Sequence, residues 1–548
     1  VRTLICAGAI AALTLAFPAA ALAGTSAGQP FPTNLETVPD ATQVTGLRVD
    51  LPRPDCSVAP SDCADVNVLD ALDGFNIQPR IKIPFSGPID LSTVSSSTIF
   101  LIGPGDHKVG INQPVWEPSD NTLYVESDEQ LAQDSTYLLV VTRGLHDASG
   151  KPLNATDFRA QLNYGQTNDP AVKAYRKALL DALSSGFAAG VTPGDVADAS
   201  LFTTQSITAI SEKIRDQIRS APAPVPNFNL GPGGSRTVFP NVPGLSITWN
   251  QQTGANPVAF TSVPVPVGLT QIFPGSIAAI AYGAFPSRDW ENGSQFIPPV
   301  GTKTGVPAVQ SVNNLVFTLF IPSGTKPAGG WPVAIFGHGF GDSMNGAPWV
   351  VASSLAKAGI ATIAINVVGH GFGPESTYAV TSPGGSTETF TAGGRGIDQD
   401  GNGTIDSTEG VNAAAGSIIS NSDGLRQTVF DIDQLVRMLQ AGVDVDGDGT
   451  VDLSTSRIYY AGQSFGGIYG VQLLGLEPTI RAGVTNVAGG PIVEIARLSP
   501  SFRFLVGAAL LLRTPSLYNA VPPANPFLWT NFNENMPLRN VPLLVDTI

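Results

Sequence analysis

The sequence predicts a three-part chain. An N-terminal all-β sandwich covers residues 24–165, a helical connector covers 166–226, and a doubly wound α/β unit with a mostly parallel sheet covers 227–548. Three observations predict it. Short apolar runs separated by turn clusters fill the first part at sandwich-like spacing. Apolar residues recur at helical spacing in the second. In the third, the runs WPVAIF and ATIAINVV each end in the same loop, GHGFG, at Gly337–Gly341 and Gly369–Gly373, whose starts lie 32 residues apart.

Composition narrows the class. Hydrophobic residues make up 43% of the 548 and charged residues only 13%, a globular balance. A formal charge of −15 argues against nucleic acid, because phosphate binding draws on clustered Lys and Arg. The start, VRTLICAGAIAALTLAFPAAALAG, places one Arg before an apolar stretch that ends in Ala21-Leu22-Ala23. This reads as a secretory signal over residues 1–23, with Gly24 the first mature residue. A membrane anchor is the competing reading, and the small-residue end and Pro-rich continuation speak against it. The expected location is therefore outside the cell or at its surface. In that oxidising setting Cys56 and Cys63, with six residues between them, are expected to form one disulfide.

The elements follow in order. RIKIPF alternates Ile81, Ile83 and Phe85 on one face, and STIFLI, NTLYVE and TYLLVVT continue the strand pattern. This pattern, with TYLLVVTRGLHDASGKPL at its end, resembles bacterial Ig-like domains. Asp169-Pro170 is an N-cap followed by Pro at the first helical position. Val172, Tyr175, Leu179 and Leu183 then mark one helix, and Ile207, Ile210, Ile214 and Ile218 a second. APAPVP at 221–226 reads as a stiff linker. NLVFTLFI, apolar on both faces, is expected to be a buried strand. PVAIF, a helix at PWVVASSLAKAG and ATIAINVV form a βαβ unit, which puts both GHGFG loops at the carboxyl edge of the sheet, where such sheets place their sites.

RIYYAGQSFGGIYG then supplies G-x-S-x-G between a strand and a small-residue helix start. In that context the motif reads as a nucleophile elbow with Ser464 as the nucleophile. The bland reading is a tight glycine turn. Acyl transfer also needs backbone N–H donors for an oxyanion. Phe465 is one expected donor, and Phe340, with Gly339 as runner-up, is the other. His338 reads as loop-ordering. His370 reads as packing beside the pocket, with a substrate contact as the sharper alternative.

Two acidic loops match the calcium-binding pattern of oxygen ligands spaced by two around a turn glycine. DQDGNGTIDSTE presents Asp398, Asp400, Asn402, Thr404, Asp406 and Glu409. DVDGDGTVDLST presents Asp444, Asp446, Asp448, Thr450 and Asp452, but its twelfth residue is Thr455, which cannot chelate bidentately. Structural Ca2+ is the expected cofactor, weaker at the second loop, and no organic cofactor is expected. Plain Asp-Gly turns are the alternative.

No histidine follows Ser464, although the usual order in this architecture is nucleophile, acid, His. Asp546, after the apolar run VPLLV, is the candidate acid. The favoured expectation is that acid and base belong to residues beyond 548 and that the chain as written is nearly inactive. The alternative is His338 or His370 as an unusual base. With DCSVAPSDCADVNVLDALDGFNIQPRIKIPF, GHGFG and GQSFGG in place, the chain resembles the bacterial virulence-factor lipase family. That resemblance implies an α/β-hydrolase fold with Ser464 as nucleophile. It also implies lipase, esterase or lysophospholipase activity on lipid or other acyl-ester substrates, with contact to a membrane surface. A secreted peptidase with the same elbow, or a non-catalytic calcium-holding surface protein, are the alternatives.

Overall fold

The computed structural model describes residues 29–490 except 119, 156–157, 159–161, 187–189 and 412–420, together with 492, 495, 499, 501–502 and 513–515. Two short strands, β1 (Thr37–Pro39) and β2 (Leu47–Val49), pair antiparallel and lead into helix α1 (Pro60–Leu69). Next come β3 (Arg80–Pro84), β4 (Ile99–Ile102), β5 (Lys108–Val109), β6 (Ile111–Glu117), β7 (Thr122–Ser127) and β8 (Thr136–Thr142). Helix α2 (Pro170–Gly186) and strand β9 (Val196–Thr203) complete this half. The strands form a sheet ordered β3-β7-β6 and another ordered β5-β4-β8-β9. Ile81 and Ile83, Ile99 and Leu101, Leu123 and Val125, and Leu139 and Val141 share one core cluster. Their alternation along each strand is what a sandwich requires.

Three boundary expectations change. The stretch expected to be all-β contains α1, whose sequence PSDCADVNVL lacks an apolar stripe and buries little beyond Cys63, Val66 and Leu69 among its nonpolar residues. The expected connector is divided between its neighbours. Strand β9 pairs with β8, and Tyr175, Leu179 and Leu183 of α2 cover Phe100, Ile102, Leu138 and Val140 on the outer face of that sheet. This explains why TYLLVVT is apolar on both faces. Helix α3 (Ala209–Ser220) instead sends Ile214 and Ile218 into the core of the second half.

That second half contains β10 (Val238–Pro240), β11 (Ser246–Ala255), β12 (Val258–Pro264), β13 (Ile277–Asp289), β14 (Ser311–Pro322) and β15 (Trp331–Gly337). After these come α4 (Ala347–Lys357), β16 (Ala361–Ile365), β17 (Thr377–Thr381), β18 (Thr387–Thr391), α5 (Asn421–Ala441), β19 (Leu453–Gln463), α6 (Phe465–Leu476) and β20 (Gly483–Asn486). A seven-stranded sheet runs β10-β13-β14-β16-β15-β19-β20. Strands β16, β15, β19 and β20 are mutually parallel neighbours, whereas the β10/β13, β13/β14 and β14/β16 pairs are antiparallel, so the parallel part is one contiguous block. Helix α4 packs on one face through Trp349, Ala352 and Ala356. Helices α3, α5 and α6 pack on the other, against Phe317, Val333 and Ile335. Both faces are thus covered, as a doubly wound sheet demands. A four-stranded sheet ordered β12-β11-β17-β18, which the sequence pattern did not announce, shares the α4-side core through Trp249, Tyr378 and Phe390.

The parallel block fixes the position of everything chemical. Gly337 at the end of β15 sits in register with Gly462 of β19. The first acidic loop follows β18 and bridges the β11–β12 turn through Ala255 N–H to Gly403 O at 2.9 Å and Ile405 N–H to Thr253 O at 3.0 Å. The second precedes β19, where Trp331 N–H donates to Asp452 O at 2.7 Å, so it lies at the opposite edge of the sheet from Ser464. Among the described residues no helix is long and apolar enough to cross a membrane.

Candidate active site

Ser464 stands between β19 and α6 with φ 54° and ψ −113°, in the sparsely populated conformation a nucleophile elbow imposes. Its N–H donates to Asn486 O at 2.9 Å, and its carbonyl accepts from Gly467 N and Ile468 N at 2.8 and 3.0 Å. The residue is half-buried at the start of a helix, where the amide dipoles favour negative charge. The flanking glycines are sterically required. A Cβ on Gly462 would lie 2.2 Å from Gly466 O, and one on Gly466 would lie 2.1 Å from Gly337 O. Tyr460 Oη donates to Gly466 O, and Tyr469 Oη donates to His338 O at 3.2 Å, tying the elbow and helix α6 to the loop after β15.

That loop is the first GHGFG. A Cβ on Gly339 would stand 3.7 Å from Ser464 Cβ, so the His338–Gly341 turn lies directly beside Ser464. Among the described residues neither the Phe340 nor the Phe465 amide donates to any acceptor, which leaves both available to an oxyanion. The Phe340 ring, 43% exposed, packs edge-on against Phe465 at 5.5 Å and Phe502 at 6.4 Å between centroids. These rings form an aromatic cluster beside the His338–Gly341 turn.

The two histidines are fully buried and fully engaged. His338 Nδ1 contacts Gly339 O at 2.9 Å, and its Nε2 accepts from Val367 N–H at 3.0 Å. His370 Nδ1 contacts Val368 O at 3.0 Å, and its Nε2 accepts from Gly341 N–H at 3.3 Å. Burial pushes the His338 pKa down to about 4. Burial and the neighbouring His338 push that of His370 down to about 3. Both rings are neutral, with no nitrogen lone pair left for Ser464. The alternative that either serves as the base is corrected on this ground. Sequence reasoning did not find Tyr460, Tyr469 or Phe502, because single aromatic residues carry no motif.

The remaining candidates fall as follows. Cys56 and Cys63 form a disulfide at the start of α1. Carboxylate oxygens of Asp398, Asp400 and Glu409 lie within 4.8 Å of one another, as do those of Asp444, Asp446 and Asp452. In the first loop Asn402 donates to Asp400, Thr404 N–H donates to Asn402 Oδ1, and Asp406 N–H donates to Glu409. In the second, Thr450 N–H donates to Asp448, and the Lys326 ammonium sits on Asp452 at 2.6 Å. Residues 1–28, with the expected signal, and Asp546 lie outside the described residues.

Residues 59–161 match the bacterial Ig-like domain family. No curated protein matches the chain. Among solved structures, similar chains include Est1E from Butyrivibrio proteoclasticus with ferulic acid bound, at 22% identity and TM-score 0.21 over 34% of this chain and 53% of that one. An acetyl xylan esterase from Paenibacillus sp. R4 is 18% identical, with TM-score 0.21, over 39% of this chain and 54% of that one. Acetyl xylan esterase 1 from Thermoanaerobacterium sp. JW/SL YS485 is 16% identical, with TM-score 0.23, over 50% and 56%. The chain thus spans a little over half the length of each.

Proposed function

We propose that this protein is a serine carboxylic-ester hydrolase of the lipase or esterase kind, working through an acyl-enzyme on Ser464. The conformation of Ser464 beside two undonated amides carries the reading. Ser464 Oγ adds to the ester carbonyl, and the oxyanion is received by the Phe465 amide and by that of Phe340 or Gly339. Collapse releases the alcohol, which takes up the serine proton, and water then frees the carboxylic acid. The base is neither His338 nor His370, and Asp546 remains the candidate acid. The Phe340, Phe465 and Phe502 cluster favours apolar acyl groups, including lipid at a membrane surface, over peptides.

Calcium has a structural place in this reading. Asp398, Asp400, Asn402, Thr404, Asp406 and Glu409 would hold one ion, and Asp444, Asp446, Asp448, Thr450 and Asp452 a second. Asp398 Oδ1 is buried with no hydrogen-bond partner among the described residues, as a cation ligand would be. Secretion through the residue 1–23 signal belongs to the same reading.

The test is a fluorophosphonate probe with mass-spectrometric site mapping. We expect labelling at Ser464 and none in Ser464→Ala, and, where a general base is supplied, turnover of p-nitrophenyl esters in preference to peptides. A chain that takes no label would instead support a non-catalytic surface protein.

A further inference from the structure

We propose that His338 and His370 are positioning residues that clamp the two GHGFG loops to each other and hold the Gly339–Phe340 backbone against Ser464. This rests on the hydrolase reading above and adds what keeps its oxyanion loop in place.

The clamp is reciprocal. His338, on the loop after β15, accepts from Val367 N–H, two residues after the end of β16. His370, on the loop after β16, accepts from Gly341 N–H on the first loop. Each bond spans 29 residues of chain. A backbone N–H can only donate, so both Nε2 atoms are unprotonated. Val368 O and Gly339 O can only accept, so both Nδ1 atoms carry the proton. Each ring therefore donates within its own loop region and accepts from the other. The His338 and His370 centroids are 5.3 Å apart, and His370 lies 5.9 Å from the ring of Phe465, whose amide is the second oxyanion donor.

Such a device answers a specific need. Three glycines in each loop give the backbone much freedom to lose. Gly341, Gly369 and Gly371 have φ of 76°, 71° and 79°, and Phe372 is held at 62° despite its side chain. Turns close each loop from within, Asp342 N–H to Gly339 O at 3.2 Å and His370 N–H to Val367 O at 3.0 Å, and the two buried rings, each bonded at both nitrogens, add the bonds that join one loop region to the other. An oxyanion donor contributes only when it is preorganised. The repeated motif thus has a reason: one His-Gly loop needs the other.

Asparagine and glutamine variants separate the two nitrogens. Asparagine keeps a polar atom near Nδ1 and loses the interloop acceptor, while glutamine carries a carbonyl oxygen close to the Nε2 position. The readouts are amide hydrogen exchange across 338–346 and 366–373, the rate of fluorophosphonate labelling at Ser464, and thermal melting. In His370→Asn we expect exchange of the Gly341 amide, and in His338→Asn that of the Val367 amide, to accelerate at least ~10-fold, with labelling slowed by about 10²-fold in both, the scale of a lost oxyanion donor. Exchange in strand β8 should not change, and the glutamine variants should recover most of both losses. If the wild type labels and the asparagine variants label and exchange within about twofold of it, the clamp is refuted while the hydrolase reading stands. Glutamine faring no better than asparagine refutes it as well. Should the asparagine variants not fold, the glutamine variants carry the test, and a 10²-fold loss there refutes the proposal. A wild type that takes no label removes the hydrolase reading and this inference together.

Discussion

Glycines around Ser464 are of two kinds, and substitution should tell them apart. A methyl on Gly466 would meet Gly337 O at 2.1 Å, backbone against backbone, with nothing flexible to yield. Gly466→Ala should therefore cost roughly 1–3 kcal/mol of stability and abolish probe labelling. A methyl on Gly339 meets only Gln463 O at 3.6 Å and Ser464 Cβ at 3.7 Å, ordinary contacts. Gly339→Ala should melt within about 1 °C of wild type, below the roughly 2–4 °C that ~1 kcal/mol produces in a domain of about 150–250 residues. Yet its methyl would occupy the space beside the nucleophile where the oxyanion forms, and labelling should slow at least tenfold. Equal labelling by Gly339→Ala and wild type would mean that the oxyanion lies elsewhere. Melting curves and labelling rates on the two variants make the comparison.

At the scale of elements, what the sequence revealed was what is local. WPVAIF, ATIAINVV and GQSFG carry their strand, loop and elbow within a dozen residues, and β15, β16 and the β19–α6 turn appear there. Strand β9 was not legible, because its meaning is a partner, Thr136–Thr142, more than fifty residues earlier. Helix α1 was not legible either, since it buries acidic Asp62 and Asp65 beside Val66 and shows no stripe. The site divides in the same way. The Ser464 turn and the GHGFG loop beside it follow from spacing, while the histidine tautomers depend on a fold that brings Val367 to His338. The acidic loops show how a motif and its surroundings can differ. Glu409 in the first loop collects the amides of Gln399 and Asp406, whereas Asp452 in the second already carries an ammonium from Lys326. A cation on a ligand carboxylate competes with a bound ion. EDTA should therefore lower the melting temperature mainly through the first loop, and Glu409→Gln should remove most of that response. Lys326→Met should raise the calcium affinity of the second loop. An unchanged melting temperature on adding EDTA would retire calcium from the account, and calorimetric titration of Lys326→Met would test the competition.

For the whole molecule, buried titratable groups of opposite kinds set the dependence of stability on pH. Burial raises Glu291 to about 9 and Asp433 to about 8, with Asp433 holding a proton against Glu477, and raises Asp198 and Glu36 to about 7. A carboxyl group whose pKa is higher folded than unfolded favours the fold fully below its unfolded value, near 4, and loses that contribution as pH rises through its folded value. The histidines work the other way. His338 and His370, depressed to about 4 and about 3, favour the fold fully above about 6.5 and lose that contribution as pH falls. Between about pH 4 and 6.5 the two histidines offset only part of the loss from the four carboxyls, so stability should already fall as pH rises. Above pH 7 the histidines are neutral in both states, so only the carboxyls count, and unfolding releases them to ionise. Stability should then fall from pH 7 to 9, by on the order of 1–3 kcal/mol for each of Glu291 and Asp433. Glu291→Gln keeps the shape and cannot ionise, so its melting temperature should decline less steeply over that range than the wild type's. Parallel slopes for the two proteins would show that Glu291 is already ionised in the fold.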